Sequence, residues 1–209
     1  MISAYNQISA RGLERIAGLS DGVFAIAMTL IVFEIRVPDT ASIHSEAELW
    51  SALRTLGPQL VTYLLSFLTL GIFWSGQQTQ LSHLARGDRH LTWIYIGFLA
   101  CVAIMPFSTL ILGQFIQLRL ALLLYWMNFA LLGAILYGAW SYSIRSGLLK
   151  PDAPAEVQAL VKRRIIVAQA LYALGAALVV FGTGVSIAFI VLVQQNFAIA
   201  PRIPGLSRI

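Results

Sequence analysis

Asp21 stands inside an otherwise apolar run, beside Ser20 and between Gly18 and Gly22. An acid so placed can titrate and carry a proton, or it can fasten one helix to another. The pentapeptide Gly18-Leu19-Ser20-Asp21-Gly22 also matches the G-x-S-x-G nucleophile elbow. That elbow needs a strand-to-helix turn, whereas here the motif lies in an apolar helical run with no histidine in any span interior to act as base. The histidines, His44, His83 and His90, lie in loops or at span ends without metal-ligand spacing, so no metal site is expected. Cys101, the single cysteine, sits in an apolar run and has no partner for an internal disulfide. HExxH, P-loop and Rossmann glycine patterns are absent, and no cofactor is expected. A TVGYG-like carbonyl filter is missing too.

The elements that position these residues follow from composition. Of the 209 residues, 58% are hydrophobic and 11% charged, with a mean hydropathy of +0.79. Soluble chains carry roughly 25% charged residues, so this surface must be solvated by lipid. The net charge of +5 forms no stripe on a soluble face, which excludes nucleic acid as the partner. The intervals 55–85, 90–118, 120–144 and 165–201 are free of charge. About 20 apolar residues cross a bilayer, so the last is divided at Gly182-Thr183-Gly184. The expected spans are 16–35, 56–82, 91–115, 120–144, 165–181 and 185–200. They make a single all-α integral membrane domain of six transmembrane helices over 1–209, with no soluble domain.

Six spans put both termini on one side. Arg11, Arg15, Arg86, Arg89, Arg145, Lys150, Lys162, Arg163, Arg164, Arg202 and Arg208 then share that side, against Arg36, Arg54 and Arg119 opposite. The positive-inside bias makes the basic side cytoplasmic. Lys162-Arg163-Arg164 is read as part of this topology signal rather than as a lipid site.

Depth suggests partners for Asp21. It lies about 7–8 Å into the first span, a level that the inward-running second span reaches near Gln77 and Gln78. Arg15 is about 240° around the helix from Asp21, so a pair within the helix is not expected. Ser20 and Asp21 are therefore expected to tie the first span to Trp74, Gln77, Gln78 or an Arg15 from another segment. Leu19, Gly22, Ile26, Thr29, Leu30 and Phe33 share a different stripe. Aliphatics with one hydroxyl suit lipid or a neighbouring helix as readily as a functional surface. Gly18-x-x-x-Gly22 favours close helix approach without naming the partner.

The run Arg15-Ile-Ala-Gly-Leu-Ser20-Asp21-Gly22-Val-Phe-Ala-Ile26-Ala-Met-Thr29-Leu30, followed by Glu34-Ile-Arg-Val-Pro38, resembles the opening of the transmembrane protein 175 family of endosomal and lysosomal potassium channels. The resemblance continues through Tyr63-Leu-Leu-Ser66-Phe67, Phe73-Trp74 and Pro106-Phe107-Ser-Thr109-Leu-Ile-Leu-Gly113. It implies a potassium-permeable channel of the prokaryotic plasma membrane, a homotetramer with potassium ions and the bilayer as its other partners. The first helix of each copy would line a central pore. The constriction would be Ile26, Leu30 and Phe33 with Thr29 as a hydroxyl layer, and Arg15, Ser20 and Asp21 would be anchors.

Two departures from the family pattern stand out. Leu19 replaces a usual Phe, and Gln77-Gln78 replaces a pair that usually bears histidine. Gln can hydrogen-bond Asp21 but cannot titrate, so any pH response that depends on such a histidine should be absent. The alternative function is a proton-coupled secondary transporter with Asp21 as its titrating group, which predicts saturable flux lost in Asp21→Asn. A non-conducting scaffold would show no flux. A membrane hydrolase would require Ser20 to react with an acylating probe.

Overall fold

The structure is a computed structural model and describes residues 12–36 and 43–199, with the backbone alone at Ile199. Arg11, Pro38, Arg202 and Arg208, used above, lie outside the described residues. Among the described residues the elements are helical: α1 (Gly12–Leu30) with a 3₁₀ extension Ile31–Glu34, α2 (Glu46–Thr55), α3 (Gly57–Ser82), α4 (Arg89–Gln114), α5 (Arg119–Arg145), α6 (Ala155–Ala177) with a 3₁₀ extension Leu178–Phe181, and α7 (Thr183–Ile199). Five are long and apolar enough to cross a membrane, and Thr183–Ala198 is a shorter apolar helix.

Local chemistry sets the helix ends. Asp88 caps α4 by accepting the Leu91 N–H at 2.8 Å, which satisfies one of the orphan donors of a first turn. Helix α5 closes at Gly147, whose φ of 61° lets the chain turn left-handed. Leu148 N then donates to Ser143 O and Gly147 N to Ile144 O, the paired bonds of a Schellman end. The break between α6 and α7 falls at Gly182, with φ 133°, a conformation L side chains rarely adopt.

Two features depart from the sequence reading. Segment 36–55, left between the first two expected spans, contains α2, which begins with a full capping box between Ser45 and Glu48. Helix α6 begins at Ala155, so Lys162, Arg163 and Arg164 lie within the helix rather than in the loop before it. Charges mark where lipid ends, whereas a helix continues into the headgroups as long as its backbone bonds are made.

The core lies between α4 and α5, against which α1, α3 and α6 pack. It holds Phe24, Leu65, Phe98, Val102, Met105, Leu122, Phe129 and Leu132, all buried. Several polar groups inside it are paired across helices. Ser66 Oγ donates to the Tyr125 hydroxyl at 3.1 Å, Thr109 Oγ1 to Ser66 Oγ at 2.7 Å, and Gln194 Nε2 to Thr69 Oγ1. Such bonds fasten four helices, α3, α4, α5 and α7. On the other side of the bundle, Leu84 pairs with Leu149 in an isolated antiparallel bridge, which clasps the α3–α4 connection to the α5–α6 connection.

Candidate functional site

Helix α1 has two unlike faces. Ile16, Ser20, Phe24, Ala27 and Ile31 are buried, recurring at the three- and four-residue spacing of one helical stripe. They seat α1 on α3 and α4. The opposite stripe is open: Leu19 is 52% exposed, Ile26 60%, Leu30 45% and Phe33 76%. Thr29 and Gly22 are exposed on the same side. The 3₁₀ extension tightens the turn and adds Val32 to this surface, a residue the α-helical stripe did not contain. A methyl group built on Gly18 or Gly22 would meet nothing within 4 Å, so no helix of the same chain uses their small size.

Thr29 orients its oxygen. Its hydroxyl lies 2.9 Å from both Ala25 O and Ile26 O, so its proton is spent on the backbone and its lone pairs remain for what lies outside. The surrounding main-chain carbonyls of α1 are engaged within the helix. A cation moving along this face would therefore meet side-chain oxygen rather than a ring of backbone carbonyls.

The helix is held from α3. Asp21 Oδ1 accepts from Trp74 Nε1 at 2.8 Å and from Gln78 Nε2 at 2.7 Å. One residue earlier, Gln77 Nε2 donates to Ser20 Oγ at 2.9 Å, with both side chains fully buried. The structure thus brings Ser20, Asp21, Trp74, Gln77 and Gln78 together. Arg15 is left out: it is exposed and has no hydrogen-bond partner among the described residues. Ser20 is not an elbow nucleophile, because it sits mid-helix, buried, and engaged by Gln77. Among the described residues no group of three His, Cys, Asp or Glu is placed to hold a metal ion.

Residues 15–106 match the family described as the endosomal/lysosomal potassium channel TMEM175. A potassium channel of Streptomyces collinus is 32% identical over 148 residues, covering 68% of this chain and 70% of that protein. The chain belongs to the TMEM175 family. A potassium channel of Chamaesiphon minutus is 33% identical over 133 residues, covering 62% of this chain and 64% of that protein. The crystal structure of a lysosomal potassium-selective channel TMEM175 homolog from that organism superposes with a TM-score of 0.78 at 27% identity, covering 92% of this chain and all of that one. The mouse endosomal/lysosomal proton channel TMEM175 is 32% identical over 100 residues, which is 46% of this chain and 20% of that protein. Both the open stripe of α1 and its fastening to α3 fall within the segment that the TMEM175 family model matches. The fold comparison, covering 92% of this chain, extends the likeness beyond that segment.

Proposed function

We propose that the protein is a potassium channel, passing ions passively through a hydrophobic constriction built from α1 of several copies. The observation that carries this reading is the continuous apolar stripe on α1, exposed from Leu19 to Phe33 on the outside of the single-chain bundle. A pore lined by that stripe requires copies of the chain arranged around a common axis. Four copies is the number that resemblance to the family supplies, and Gly18 and Gly22 are where adjacent first helices would approach. The relatives named above as potassium channels support the permeant ion.

Ile26, Leu30 and Phe33 form the narrow part, spanning about 12 Å of the helix from the α and 3₁₀ rises. Rings of aliphatic and aromatic side chains exclude liquid water from a narrow neck and so gate by dewetting. A neck that strips part of the hydration shell favours potassium, which gives up water more readily than sodium. The Thr29 oxygens then offset part of the loss. Modest selectivity follows, because one hydroxyl per chain replaces only a fraction of a shell.

Ser20, Asp21, Trp74, Gln77 and Gln78 hold the helix rather than meet the ion, since they lie on α1's packing side or its shoulder. With Gln at both 77 and 78, the fastening contains no histidine to titrate. The carrier alternative would route a proton through Asp21. The distribution of basic residues supports both termini on the cytoplasmic side, and the bacterial relatives support a prokaryotic plasma membrane.

Single-channel recording tests the constriction. Ile26→Ala should raise conductance by widening the neck, and Thr29→Ala should lower the preference for potassium over sodium. If both variants match the parent, the narrow part lies elsewhere. The mass of the detergent-solubilised assembly tests the copy number, with about 92 kDa expected for four 22.9 kDa chains.

A further inference from the structure

Away from α1, a cavity of about 670 Å³ opens between α3 and α6, floored by Leu136 of α5 and bounded by Phe197 of α7. This is the size of a small-molecule site, which typically runs about 300–1,000 Å³. Its walls are mostly aliphatic and aromatic, and its charge is confined to one end, where Arg163 and Arg164 line it. From Arg164 to Tyr172, both in the lining, α6 rises about 12 Å. The cavity therefore runs along the membrane normal, basic toward the loop side and apolar toward the bilayer centre. A second, smaller cavity of about 250 Å³ lies against the same Arg164 and Phe197.

The arginines are unusual in their surroundings. Both are exposed, and among the described residues neither has a carboxylate within ion-pair distance. The Arg164 guanidinium lies 6.0 Å from the centre of the Phe197 ring, a cation–π contact that steadies it without neutralising it. Residues 200–209 contribute Arg202 and Arg208 and no acidic side chain, so charge gives that segment no reason to cover the site. Topology alone explains why arginines lie on this side. It does not explain why two adjacent ones border an apolar crevice while unpaired.

We propose that this crevice binds an anionic phospholipid of the cytoplasmic leaflet, with an acyl chain between α3 and α6 and its phosphate at Arg163 and Arg164. Charge complementarity selects the headgroup, and the apolar walls select a lipid over a soluble phosphate. Arg guanidinium pairs with phosphate through two parallel N–H bonds, and each basic residue near a membrane surface adds to the attraction for anionic lipid.

The test is native mass spectrometry of the detergent-purified protein titrated with phosphatidylglycerol or with phosphatidylcholine of the same chains. Phosphatidylglycerol should bind roughly 30-fold more tightly, from two arginines at the magnitude expected near a membrane surface. Arg163→Gln/Arg164→Gln should bring the two lipids within about threefold of each other, while Arg145→Gln/Lys150→Gln should keep the preference. Ala168→Phe, which fills the cavity, should weaken both lipids; its melting curve checks that it folds. Equal binding of the two lipids to the parent, or a preference that survives in the double arginine variant, would overturn the proposal. Displacement of the lipid by inorganic phosphate alone would remove the acyl part. Loss of the native assembly mass in Ala168→Phe would assign the crevice to a second copy of the chain instead.

Discussion

Substituting Asp21 separates a fastening role from a titrating one. Its Oδ1 takes two N–H donors from α3, those of Trp74 and Gln78. A hydrogen bond to a charged acceptor contributes about 1.5–3 kcal/mol when buried. Asp21 is exposed in the single chain and Trp74 is 42% exposed, so solvent screening reduces each bond toward about 0.5–1 kcal/mol. Asp21→Ala should then cost about 1–2 kcal/mol for the pair of bonds. Asp21→Asn keeps an amide oxygen in the same place, and neutral bonds are roughly half as strong as charge-assisted ones. Its cost should be about 0.5–1 kcal/mol. A cycle with Gln78→Ala isolates the pair, since Gln78→Ala should cost less in the Asp21→Ala background than in the parent. The assay is thermal melting by tryptophan fluorescence in detergent, alongside potassium current in planar bilayers. Asp21→Asn is expected to conduct nearly as the parent does, and Asp21→Ala to melt earlier and conduct less. An Asp21→Asn variant that melts like the parent yet passes no ions would refute the fastening argument and make the carboxylate itself part of transport.

Three further outcomes follow from the packing. Tyr125→Phe removes a fully buried hydroxyl that accepts from Ser66 and contacts Thr69; melting should show a loss of about 1–2 kcal/mol, with conductance unchanged once folded. Gly175→Val should cost about 1–3 kcal/mol by overpacking, because the new Cβ would come 2.7 Å from Ile190 Cγ1 and push α7 off α6. At Glu48, outside the spans, the carboxyl is held below its ordinary range, chiefly by the His44 backbone N–H and then by the Ser45 side chain. A depressed folded-state value stabilises the α2 cap above the ordinary value near 4.5 and loses that stabilisation as pH falls through the folded-state value. Trp50 fluorescence should therefore report α2 loosening on acidification below about pH 4.5, and Glu48→Gln should remove the dependence.

Periodicity and depth made much of α1 legible. Stepping around one helix placed Leu19, Ile26, Thr29, Leu30 and Phe33 together, and they share an exposed face. Matching levels between two antiparallel spans put Gln77 and Gln78 beside Ser20 and Asp21. Both inferences need only the geometry of single helices. What stayed hidden depends on how helices sit against one another, or on reading charge as an ending. Ser45 and Glu48 carry a capping-box signature followed by Leu49, Trp50 and Leu53, a helix that uncharged intervals do not mark. Charge likewise hides that Lys162, Arg163 and Arg164 lie within α6, ahead of the uncharged interval that begins at 165. The Thr109–Ser66–Tyr125 bonds and the crevice beside Arg164 have no sequence signature, because each depends on the register of separate helices. Arg15, which both the resemblance and the depth of Asp21 offer to the anchor, has no hydrogen-bond partner among the described residues of the single chain.

The central claim is that this chain makes a passive pore preferring potassium, and its most direct test is the reversal potential. Purified protein in a planar bilayer, with potassium on one side and sodium on the other, should carry a current that reverses toward the potassium equilibrium potential without any proton gradient. Flux that appears only with a proton gradient, or a reversal that follows sodium equally, would contradict it.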